Sequence, residues 1–354
     1  LLVMSTMFSA HAACPSNLES CDSNEGEAGL NCLRIGDQLG HLELTSNFLV
    51  GVEYVSGTSG PLVVGGSAFL SCLSLTSVSM PLVTEIGDMA FAGTSLTSVT
   101  MPAVKIIGGK YAFSITSLTS VNMPLVTDIG EKAFEGSSLT SVSMPLVEII
   151  RSGAFQGTKL TSVSMPKVIE IGPYAFKRFR YDTVTSVFMP LVEKIGEQAF
   201  AGTSLISVDM PKVTTIGPYA FEGTGLTSVS MPSVQIIGAN AFKDTFLTSV
   251  SMSAITTIES LSFQGSSLTS VDMPNVTEIQ ANAFVGTGLT SVSMPSVTKI
   301  GADAFKGTSL TSVSMPSVTD IGANAFQDTS LTSVDMPAIT TIESLSFQGS
   351  SLTS

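Results

Sequence analysis

The sequence predicts a repeat solenoid, a coil of short parallel strands and turns stacked layer on layer, and three observations carry that prediction. A methionine recurs at 80, 101, 123, 144, 165, 189, 210, 231, 252, 273, 294, 315 and 336, and ten of the twelve spacings are 21 residues. The exceptions are 22, ending at Met123, and 24, ending at Met189. A phenylalanine column, from Phe69 through Phe221 to Phe347, keeps the same beat. Inside each period, strand-like alternation runs into a proline and later a glycine. A fixed period of about 20 to 50 residues marks repeats that cannot bury their apolar face alone and do so by stacking.

Residues 1–13 read as the remnant of a signal peptide. The stretch Leu1–Ser9 is apolar, and Ala10-His11-Ala12 has the small-x-small form of a cleavage site. The basic segment that opens such leaders is missing, so the chain is expected to start inside a longer one; a short buried strand is the alternative. His11 stands three before Cys14 and disfavours a lipid anchor there. The only cysteines are Cys14, Cys21, Cys32 and Cys72. In an exported protein four cysteines suggest two disulfides, with three possible connectivities. A metal site would need tighter pairs such as C-x-x-C. Residues 14–59 are therefore expected to form a Cys-containing cap, and a bridge to Cys72 would staple it to the array at 60–354.

One unit, Leu75–Ser95, shows why each element forms. Val78 and Met80 alternate with Ser77 and Ser79, which is strand periodicity. Pro81 has no N–H to give a ladder and ends the strand. Val83 and Ile86 are expected to point inward, and Ala90-Phe91 to sit on a single helical or 3-10 turn. Gly93 closes that turn with a positive φ; Asp244 and Asp328, which tolerate the same conformation, occupy its column. Arg151, Glu259, Gln280 and Glu343 replace glycine in the Gly87 column, so no positive φ is expected there. Each unit offers Leu, Val, Met, Val, Ile, Ala and Phe to the core. Burying a large apolar side chain stabilises by roughly 1.5–3 kcal/mol, while ordering each residue costs about 1–2 kcal/mol. A lone unit should not fold, whereas a stack should. The Met and Phe columns are thus read as core.

Residues 254–270 and 338–354 are identical, four units apart, which suggests internal duplication. The sequence stops at Ser354 within a strand, so truncation is expected at this end too.

The pattern L-x-x-V-x-M-P-x-V-x-x-I-G-x-x-A-F-x-G, repeated about fourteen times over 60–354, resembles the BspA-like leucine-rich repeats. The resemblance implies a right-handed leucine-rich-repeat superhelix, with a parallel β-sheet on the concave face and short turns or single helical turns on the convex face. It also implies a secreted or cell-surface protein that binds proteins or glycans. Met replaces the usual aliphatic residue before proline, and Gly-Thr-Ser replaces the frequent Cys-containing turn.

Composition narrows the function. The chain has 354 residues, net charge -13, 12% charged residues, no Trp and 2 His. An acidic chain repels phosphate backbones and anionic lipid, so nucleic-acid and membrane-surface binding are not expected; no apolar run approaches the roughly 20 residues of a membrane span, so membrane insertion is not expected either. After signal cleavage His41 would be the one histidine left, too little for a His-based triad or zinc site, so no enzyme, cofactor or metal is predicted. The outward strand positions should form ladders: a Ser column from Ser77 to Ser354, a Thr column broken by Ile206, and a variable column containing Phe188, Asp209, Asp272 and Asp335. Such a broad, weakly charged surface suits macromolecules, and a flat Ser/Thr grid admits ice binding as a minor alternative. The irregular unit, with three added residues, is the candidate contact site: Lys177, Arg178, Phe179, Arg180, Tyr181, Phe188 and Asp209. Arg and aromatic residues are enriched at binding hot spots. The plainer reading is a degenerate unit with a solvated bulge. Asn275-Val276-Thr277 is a lone glycosylation sequon. The competing role is structural, as a repeat array in a cell wall, sheath or extracellular filament, and self-association through an uncapped C-terminal end is expected.

Overall fold

The computed structural model describes residues 31–35, 38–45, 48–54, 62–73, 75–178 and 184–352, and it is a parallel β-solenoid. The described chain divides into two compact units, one through Val168 and one from Ile169 onward. In the first, Asn31–Ile35, Gln38–Thr45 and Phe48–Tyr54 form an antiparallel meander. Phe48 then pairs in parallel with Ser77, so the meander leads directly into the repeat ladder.

Every repeat contributes two strands. The first has the S-V-x form, as in Ser77–Ser79 and Ser98–Thr100, which pair in register with valine beside valine. Its outer residues face solvent and its valine faces inward, as period-two alternation requires. The second strand was not foreseen. It is only two residues long in most turns, and Ile106–Ile107, Asp128–Ile129 and Ile149–Ile150 stack as a parallel ladder with the second residue buried. The second unit repeats this arrangement, with Lys194–Ile195, Thr215–Ile216 and Ile236–Ile237 in one ladder and Thr257–Ile258 through Thr341–Ile342 in another.

The expected single helical or 3-10 turns are not formed: among the described residues the Ala-Phe segments are turns without helix. The hydrogen bonds explain the difference. Met89, Phe91 and Gly93 donate their N–H groups to Lys110, Ala112 and Ser114 of the next layer, at 2.8 Å each. The intervening Ala90, Ala92 and Thr94 donate locally, to Gly87, Met89 and Phe91. A helix needs its N–H groups for itself; here every second one is given to a neighbour. The backbone that permits this has two left-handed residues per turn, Met89 at φ 52° and Gly93 at φ 66°. The positive φ expected at the Gly93 column is present, including at Asp244 and Asp328. The second left-handed column escaped the sequence reading, although Asn240, Asn282, Asp303 and Asn324 in it are residues that tolerate that region. Glycine in the Gly87 column has a different reason: a Cβ on Gly301 would stand 2.6 Å from the Ala281 nitrogen of the layer below.

The core follows the columns. Leu118, Met123, Val126, Ile129, Ala133 and Phe134 are fully buried, and the same set recurs turn after turn. Phe rings stack in parallel along each unit, from 5.1 Å between Phe69 and Phe91 to 5.5 Å between Phe263 and Phe284. The threonine of Gly-Thr-Ser is also interior. Thr94 and Thr203 each donate their hydroxyl to the carbonyl of the phenylalanine three residues back, at 2.8 Å, so a buried polar atom is satisfied without leaving its own turn.

Candidate functional site

The outward face of the first strands carries the hydroxyl ladders, and much of their hydrogen bonding is internal. Thr97 and Thr140 donate their hydroxyls to the backbone carbonyls of Thr76 and Thr119 one layer below, at 3.1 and 3.0 Å. Thr227 and Thr332 do the same in the second unit. The Thr column is therefore a brace along the stack as well as a surface.

In the second unit that face is interrupted. Phe188 and Ile206 stand 58% and 56% exposed on neighbouring layers. Phe246, 61% exposed, is a further apolar side chain in solvent two layers on, three residues before the strand Ser249–Ser251. Phe246 was missed at the sequence level, yet it is the lone aromatic in a column otherwise held by Ser204, Gly225 and Ser267. The three aspartates of the variable column are not equivalent. Asp272 accepts a hydrogen bond from Ser251 of the preceding layer and Asp335 one from Ser314, both at 3.0 Å. Asp209 has Phe188 in the corresponding place, a residue with no hydroxyl to give.

The other proposed contact residues lie elsewhere. Lys177 sits with its ammonium 5.2 Å from the centre of the Tyr174 ring, and Arg178 donates to the Gly202 carbonyl at 3.4 Å, both on the turn segments. The Tyr174 hydroxyl donates to Glu197 at 2.9 Å, and that hydrogen bond, followed by burial, raises its pKa. Phe179, Arg180 and Tyr181 lie outside the described residues. The structure thus places Phe188 and Asp209 on the strand face and Lys177 and Arg178 at the turns. Cys72 is disulfide-bonded, whereas Cys14, Cys21 and the side chain of Cys32 lie outside the described residues. Asn275 of the sequon donates its amide to the Ser253 carbonyl at 2.7 Å. Among the described residues, no group of three or more His, Cys, Asp or Glu could hold a metal, and no helix is long and apolar enough to cross a membrane.

Parallel strands stacked at a 21-residue pitch over a Leu-Val-Met-Val-Ile-Ala-Phe core define a leucine-rich-repeat protein. The family model for the BspA type leucine-rich repeat region matches residues 62–182, 170–287 and 277–354, and the chain belongs to that family. No curated protein matches it. Among solved structures it is similar to a leucine-rich repeat protein from Bacteroides ovatus ATCC 8483, with 20% identity, 90% of each chain covered and a TM-score of 0.59. It also matches a leucine-rich cell surface protein of Faecalibacterium prausnitzii A2-165 at 23% identity, covering 88% of this chain and 94% of that one, TM-score 0.40. A third match is the pneumococcal vaccine antigen PcpA, at 16% identity, 82% and 86% coverage and TM-score 0.46. At these identities the Bacteroides ovatus likeness speaks for the fold alone.

Proposed function

We propose that this protein is a secreted or cell-surface recognition module that binds extracellular proteins or glycans without catalysing a reaction. The observation that carries this reading is the break in the hydroxyl face at Phe188 and Ile206, where large apolar side chains stand in solvent, Phe188 at the end of a first strand and Ile206 just before one. Such side chains find their best use in a partner's interface. Lys177, Arg178, Phe179, Arg180, Tyr181, Phe188 and Asp209 remain the proposed contact region, with Phe188 and Asp209 as its centre. Immobilised matrix glycoproteins (fibronectin, laminin, collagen) are the test ligands. Saturable binding that weakens at least tenfold in a Phe188→Ser, Ile206→Thr double variant is expected; binding that is unchanged in it would remove this face from the reading.

A second reading, a structural array in a cell wall, sheath or extracellular filament, is favoured by the identity of residues 254–270 and 338–354, four units apart. We propose that in that role copies of the array associate with one another. Light scattering should show mass rising with concentration; a constant monomer mass up to millimolar protein would dismiss association.

A further inference from the structure

The three aspartates of the variable column form an internal comparison. Asp272 and Asp335 each hold a serine hydroxyl from the layer before. At Asp209 the serine is replaced by Phe188, and among the described residues no hydrogen bond or ion pair reaches the Asp209 carboxylate. The strands Ser186–Phe188 and Ser207–Asp209 are neighbours in the coil without a ladder between them, as at three other steps of the first-strand series, and here that seam runs between the ring and the carboxylate. Ile206, three residues before Asp209 on the same layer, also stands exposed. A carboxylate and an aromatic ring, neither with a hydroxyl partner, thus stand on successive layers, which lie about 4.8 Å apart in parallel ladders, and an exposed aliphatic chain precedes the carboxylate by three residues on its own layer.

We infer that this seam receives the arginine side chain of a protein partner. Resting on the recognition role proposed above, the inference names the chemistry that the site selects. A guanidinium pairs with a carboxylate through two parallel N–H donors. Its plane lies on an aromatic face, and its weak hydration makes leaving water cheap. Its three-carbon stem packs on apolar surface, which Ile206 offers three residues back along the Asp209 layer. Lysine would offer the charge without the plane. A neutral sugar could use the ring and the hydroxyls, but it leaves the anion without a countercharge, and the protein as a whole carries a net charge of -13. Charge complementarity therefore favours the cation.

The probe is acetyl-Gly-Arg-Gly-amide, with the citrulline peptide as its neutral counterpart and maltotriose as the sugar arm, titrated into the full chain while the Ile206 methyl signals are followed by NMR. Saturating shifts with the arginine peptide at low-millimolar concentration are expected, at least fivefold weaker with citrulline. Asp209→Asn should abolish them, and Asp272→Asn, whose carboxylate is already engaged, should leave them unchanged. Equal shifts from citrulline, survival in Asp209→Asn, or a response to maltotriose alone would overturn the inference. The two readings can fail separately. Peptide binding at Asp209 without any matrix-protein binding sinks the recognition role tested above and leaves the arginine site standing. Matrix binding that survives Asp209→Asn, with a silent peptide titration, does the reverse.

Discussion

Residues 254–268 and 338–352 have one sequence and two fates. Ile255, Ile258, Phe263 and Leu268 are fully buried. Their counterparts Ile339, Phe347 and Leu352 are half-buried, and Ile342 is 54% exposed. The backbone hardly notices: Leu261 and Leu345 take φ of 63° and 60°, and Ser266 and Ser350 each donate an N–H to the phenylalanine three residues back at 3.1 Å. Phe263 stacks against Phe242 and Phe284, whereas Phe347 has only Phe326 among the described residues. Conformation is therefore set within a turn, and burial is supplied by the layer on the far side. That is the quasi-one-dimensional energetics of a solenoid.

Truncating the two phenylalanines should separate these contributions most widely. Phe263→Ala removes a ring packed on both faces and is expected to cost about 3–5 kcal/mol, the range for fully buried aromatics. Phe347→Ala opens a site already half in water and should cost about 1–2 kcal/mol, since the area returned to solvent is smaller. Urea denaturation of both variants checks this. Equal losses would mean that stability is shared along the array and not held layer by layer.

Much of this was legible in the sequence because repetition turns one weak pattern into many agreeing ones. The Phe and Met columns named the core, and the buried side chains of Phe91 through Phe326 lie where the period puts them. The second strand was hidden because two residues are too few to show alternation, as at Asp128–Ile129. The turn was misread as helical because Ala-Phe favours compact backbone in either arrangement, and only the N–H groups reaching the next layer decide between them. The site was partly legible. Phe188 and Ile206 stand out as errors in a hydroxyl column, and both are exposed. Lys177 and Arg178 are adjacent in sequence to the same irregularity and lie at the turns, Lys177 over the Tyr174 ring and Arg178 donating to the Gly202 carbonyl. Sequence proximity across a turn says little about which face a side chain joins.

Hydrogen exchange sharpens the comparison at an intermediate scale. Backbone N–H groups of Phe263 and Phe347 are chemically identical in context, but Phe263 donates to Ala283 of a following layer at 3.0 Å. Amides of 338–352 are expected to exchange at least about tenfold faster than those of 254–268, since local opening there breaks only one interface. In a demonstrably monomeric sample, equal protection in the two segments would show that one neighbour suffices.

The smallest effect concerns what the two segments share. Leu261 holds a left-handed backbone at φ 63° where Asn240 and Asn282, one layer away on either side, take φ of 59° and 61°. A left-handed conformation costs an ordinary L-residue about 1–2 kcal/mol, and asparagine much less. Leu261 is half-buried, so replacing it forfeits some apolar contact. Leu345 at the same position is 57% exposed and has less contact to lose. Leu261→Asn is therefore expected to stabilise by a modest ~0.5 kcal/mol. Leu345→Asn should gain closer to ~1 kcal/mol, visible as slower exchange in 338–352 more than as a shifted midpoint. Leu261→Val provides the opposite sign, because a β-branched side chain tolerates this region worst. If Leu261→Asn and Leu261→Val destabilised alike, the side chain's contacts would outweigh its backbone strain. Burial, and not the local turn, would then account for leucine in this column.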